Sequence, residues 1–176
     1  MKPLRQAILV IAIATGAAHA QPPAQPAAQP QMTLQQMQEA MQRQMQMMAA
    51  LFDVKESRLG FEETVTTLRA AAEKRGWAVE KVEDVQAAMK AQGAKDAPRM
   101  KVIFACPKDA NVQLSRASQG KLPPLPCRLT VFETKEGKTQ VMRMNTGNLA
   151  RAVQGEAAKV LAQVASEEEA VLKTIQ

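Results

Sequence analysis

From Thr33 onward, apolar residues fall at three- and four-residue steps between glutamines: Leu34, Met37, Met41, Met45, Met48 and Phe52. This spacing lays one apolar stripe along a helix, and Thr33 followed by Gln36 resembles a capping box at its start. The pattern predicts an amphipathic, Met/Gln-rich helix over residues 32–52. Phe61, Val65, Leu68 and Ala72 repeat the helical spacing, with Gly76 placed to end that helix in a left-handed cap and Trp77 as the apolar residue that follows. Residues 77–80 are then a short strand candidate. Val82, Val85 and Met89 share one side of a further predicted helix, with Gly93 just past its end.

The second half changes period. Residues 100–106 contain Val102, Ile103 and Phe104 and stop at Pro107, as a largely buried strand would. A polar helix or turn is expected from Asp109 to Ser118, followed by turns at Gly120 and Pro123-Pro124-Leu125-Pro126. Residues 127–134 and 139–145 flank Lys135-Glu136-Gly137-Lys138 and read as a hairpin. Ala157, Val160, Leu161, Val164, Val171 and Ile175 predict a C-terminal helix. Together these elements predict an α+β domain over residues 53–176, an antiparallel-rich sheet with packed helices, preceded by the Met-rich helix.

The first 31 residues follow neither pattern. Lys2 and Arg5 precede an apolar run over residues 7–14, and Ala18-His19-Ala20 has the small-x-small form of a cleavage site. Residues 1–20 are therefore expected to be a signal peptide that sends a soluble protein to the periplasm. The run is too short to cross a bilayer core of ~30 Å, and no Cys follows Ala20 to carry a lipid. Residues 21–31 hold four Pro and no large apolar side chain, so they predict an extended tether.

Composition narrows the chemistry. The one His, His19, leaves with the signal peptide, and Tyr is absent, so the mature chain has no Ser/His or Cys/His pair and no phenolic acid. Asp, Glu, Lys and thiolate chemistry stay open, but no spacing points to them. Cleavage lowers the formal charge of +6 by two, and the remaining bases alternate with acids, as in Glu73-Lys74-Arg75 and Lys135-Glu136. No basic stripe is present to track a nucleic-acid backbone.

Residues 60–153 resemble the family catalogued as domain of unknown function 302. The likeness rests on Gly60-Phe61-Glu62-Glu63-Thr64-Val65, Arg75-Gly76-Trp77-Ala78-Val79, Lys101-Val102-Ile103-Phe104 ahead of a Pro, and Leu125-Pro126-Cys127-Arg128-Leu129-Thr130-Val131-Phe132-Glu133 before a Gly turn. The resemblance implies helices packed on a mainly antiparallel sheet, often dimeric, with no settled activity. One departure is Cys106, a position more often polar in that family, so a role needing both cysteines belongs to a subset of it.

Two readings stand for the cysteines. An even count in an oxidising compartment favours a disulfide between Cys106, at the end of one predicted strand, and Cys127, at the start of another. Alternatively the thiols bind a soft metal or cycle in redox chemistry. With Glu136-Gly137 as a two-residue turn, Leu129 faces Met144 and Val131 faces Met142. Cys127 then shares a face with both Met side chains, and Cys106, Cys127, Met142 and Met144 form a copper ligand set. A three-residue turn flips that parity and removes the geometry. Under the two-residue register Arg128, Arg143 and Asn145 share the opposite face, where paired guanidinium groups would suit a carboxylate or phosphate. The function expected is a non-catalytic periplasmic binding or interaction protein with no cofactor, associating as a homodimer or with another periplasmic protein through residues 32–52. Thiol-based copper or redox handling is the alternative.

Overall fold

The computed structural model describes residues 33–176; the expected signal peptide and tether lie outside them. The described chain runs α1 (Leu34–Leu51), β1 (Phe52–Glu56), α2 (Phe61–Lys74), β2 (Ala78–Asp84), α3 (Val85–Ala91), β3 (Met100–Cys106), α4 (Ala110–Ala117), β4 (Arg128–Glu133), β5 (Thr139–Met144), α5 (Thr146–Ala152) and α6 (Gly155–Leu172), closing in a 3₁₀ turn (Lys173–Ile175). The strands form one antiparallel sheet in the order β1-β5-β4-β3-β2. The expected α+β class is what the chain adopts.

Helices cover one face of this sheet. Phe61, Val65, Leu68 and Ala72 of α2 pack with Ile103, Ala105, Leu129, Val131 and Val141 from the strands and with Val171, Leu172 and Ile175 from the C-terminus. Leu68, Val131 and Val141 have no solvent exposure. Glu62 and Glu63 sit in the first turn of α2, where the helix dipole favours acids. Gly76 ends the helix at φ +73°, a conformation that costs glycine little, and the Trp77 amide returns to the Ala72 carbonyl at 3.0 Å as that cap requires. A second, smaller core lies around Ala110, Leu114, Leu125, Ala157, Leu161 and Val164, so α6 serves both.

Three local expectations are corrected. Phe52, counted into the Met-rich stripe, is the first residue of β1 and pairs with Met144; β1 was not expected, because five residues on an edge carry too little alternation to stand out. Val82, assigned to a helix, lies in β2 opposite Ile103, where pairing with β3 outweighs its weak helical spacing. The hairpin closes through three residues: Thr134 N donates to Lys138 O at 2.9 Å, and Gly137 takes φ +76°. Three-residue loops commonly use glycine in this conformation.

Candidate functional site

The hairpin register decides what the expected site residues meet. Val131 pairs with Val141 and Thr130 with Met142, one residue away from the register of a two-residue turn, so the faces exchange. Met142 therefore stands beside Val54 and Thr130 on the sheet face away from α2. Met144 lies at the strand end, where it reaches the smaller core that also holds Cys106 and Cys127. The structure does not gather the expected four-sulfur set on one face. Both cysteine sulfurs are committed to each other: Cys106 and Cys127 form a disulfide across 21 residues, with Cα atoms 4.8 Å apart. A loop of that length stabilises the fold by roughly 3 kcal/mol on the chain-entropy model.

Asn111, which no sequence pattern singled out, supports that staple. Its Oδ1 accepts from the Leu125 amide at 2.7 Å and its Nδ2 donates to the Leu125 carbonyl at 3.2 Å, with the Cys127 sulfur 3.6 Å away. One side chain on α4 thus holds the proline-rich loop against the disulfide. Between α4, α5, α6 and this loop lies an apolar cleft of about 170 Å³, lined in part by Leu114, Pro123, Leu149 and Leu161.

Of the expected cluster, Arg128 and Arg143 both border one depression, which Asn145 does not line. Arg128 is exposed on the face away from α2. Asn145 caps α5, its Oδ1 accepting from the Asn148 amide at 2.9 Å. Arg143 is buried on the helix-covered face, at 4% exposure; its Nε has no partner among the described residues, while both terminal nitrogens of its guanidinium are occupied. It donates to Glu168 at 2.7 Å, to Asp53 at 3.1 Å and to Glu169, while the Thr146 hydroxyl also donates to Glu168. Burial pushes the Glu168 carboxyl above its ordinary range, against the Thr146 hydroxyl and the Arg143 charge, which pull it down. This network ties edge strand β1 and α6 to β5. Its acids were invisible in the sequence because Asp53 and Glu168 are 115 positions apart and meet only through the fold.

Two apolar surfaces remain. None of the eighteen residues of α1 is buried, and Met37, Met41, Met45 and Met48 are about half or more exposed. The sheet face away from α2 carries Phe52, Val54, Met100, Val102, Phe104 and Met142, none of which joins either core. It is hollowed by a depression of about 250 Å³ lined by Phe52, Val102, Thr130 and Met142 among others. No helix among the described residues is long and apolar enough to cross a membrane.

An antiparallel five-stranded sheet with helices on one face and a disulfide at its end defines the class: a stapled α+β domain carrying an extra N-terminal helix. The chain belongs to the family described as domain of unknown function DUF302, whose model matches residues 52–175. A crystal structure of an uncharacterised conserved DUF302 protein from Bacillus stearothermophilus shares the fold, with a TM-score of 0.59 and 17% identity over 72% of this chain and 98% of that one. No curated protein matches the chain. The helix α1 lies outside the family match.

Proposed function

We propose that this protein is an exported, periplasmic binding or interaction module without catalysis of its own, which associates through the Met-rich face of α1. The observation that carries this reading is the stripe itself: an amphipathic helix of eighteen residues from which its own domain buries nothing. A flexible thioether surface suits adaptable apolar contacts. Export is supported by the basic, apolar and Ala-x-Ala pattern of residues 1–20, and the paired cysteines serve as a staple suited to an oxidising compartment. Cys106 and Cys127, being bonded to each other, have no thiolate to offer a soft metal.

The test is sedimentation of the protein recovered without reductant, alongside its free-thiol count and metal content. Replacing Met41 and Met45 together with Gln, which keeps the helix, is expected to lower the associated fraction while the thiol count stays at zero. Association unaffected by that change would remove α1 from the reading. Two free thiols with one equivalent of copper would replace the staple with metal handling.

A further inference from the structure

We propose that α1 of one copy lies across the uncovered sheet face of a second copy, which returns its own α1 in exchange. The inference rests on α1 being the associating element and names what receives it.

The first support is the junction. Leu51 ends α1 and Phe52 begins β1, with no residue between them, and a reversal of chain direction takes a turn of several residues. The end of the helix is also held: the Asn145 amide donates to Leu51 O at 2.7 Å and the Asn148 side chain to Ala50 O at 2.8 Å. The chain has no slack with which to fold α1 back onto its own sheet, so a seat for the stripe on this sheet lies on a second copy.

The second support is that the same chain carries a surface of matching extent and chemistry. A helix of this length spans ~27 Å, and five strands at ~4.8 Å spacing offer ~19 Å between the outer backbones, with side chains extending further. The sheet face presents Phe52, Met100 and Val102 beside Met142 around its depression, with Phe104 further across under the Lys81 ammonium, 4.6 Å from its ring centre. Thioethers pack well against aromatic rings. The stripe is uncharged, the charged residues of α1 being Glu39 and Arg43, and the charges on the receiving face lie at its margins: Glu56 at the end of β1, Lys81 and Glu83 on edge strand β2, and Arg128 at the start of β4, where it borders the depression.

The third support is economy of symmetry. Pairing α1 with α1 leaves the sheet face open in both copies. Reciprocal seating covers both unpartnered surfaces twice in one closed two-fold assembly.

The experiment places the photo-crosslinker p-benzoyl-phenylalanine at position 41 of the full chain as expressed and maps crosslinks by mass spectrometry, with Val54→Glu as the companion variant. Val54 is 47% exposed on the edge strand, so a carboxylate there is tolerated by the fold and opposes only the seat. Crosslinks from position 41 to β1, β4 or β5 of a second copy are expected, and Val54→Glu should weaken the dimer about tenfold or more. A dimer whose crosslinks run from α1 to α1 and which ignores Val54→Glu would overturn the seat while leaving association through α1 intact. A single-protomer mass at high micromolar concentration would overturn both.

Discussion

Two helices of equal length, α1 and α6, meet opposite fates. Each has eighteen residues and an apolar stripe. α6 buries Ala157, Leu161, Val164, Glu168, Val171 and Leu172, spanning both cores, whereas α1 buries nothing. The side chains differ to match. Leu, Val and Ala have few rotamers and pack in one arrangement, while unbranched Met adapts to whatever it meets. Connection differs as well: α6 follows Val153 and Gln154, which let it turn over α5, but α1 enters β1 directly. Periodicity thus reports that a face exists and leaves open who covers it.

The comparison breaks most severely at Arg143, the residue that anchors α6 to the sheet. Arg143→Ala should cost about 3–5 kcal/mol in denaturant unfolding, because Glu168 would be left buried without its cation. A loss under about 1 kcal/mol would mean that water replaces the guanidinium. Next, Leu172→Ala, at a site with no exposure, should cost about 2–5 kcal/mol. Met45→Ala, at 62% exposure, should cost under about 0.5 kcal/mol when measured on dilute protomer. Similar losses at the two positions would show that α1 docks within its own domain.

The smallest effect sharpens the comparison through pH. Glu168 is held above its ordinary pKa in the folded chain, so in the window from the unfolded glutamate value of about 4.3 up to the raised folded value the native state binds the extra proton. Its contribution is present below that window and is lost as pH rises through it. Relative to Glu168→Gln, the natural chain should therefore lose stability as pH climbs through the window. A difference between the two that stays flat across pH would show that Glu168 does not bind the extra proton in the folded chain.

Much of the fold was legible residue by residue. The α2 stripe, the Gly76 cap, the strand ending at Cys106 and the two arms of the hairpin all stand where spacing and turn chemistry predict. The misreadings share one cause. β1 and Val82 have weak local signals and take strand structure from neighbours distant in sequence. At the hairpin both turn lengths fit the residues, and choosing between them exchanges every side chain between faces. That choice separated Arg128 from Arg143 and Cys127 from Met142, so the site residues were the part of the reading most exposed to a single-residue slip.

The sequence by itself determined the α+β class, the family and the stripe of α1, because these depend on periodicity, turn residues and local motif. Only the tertiary structure decided that Cys106 and Cys127 meet, that Arg143 is spent on Asp53, Glu168 and Glu169, and that the sheet face bearing Val54, Val102 and Met142 joins neither core. Those outcomes depend on strand order and register, which bring together side chains that no local pattern connects.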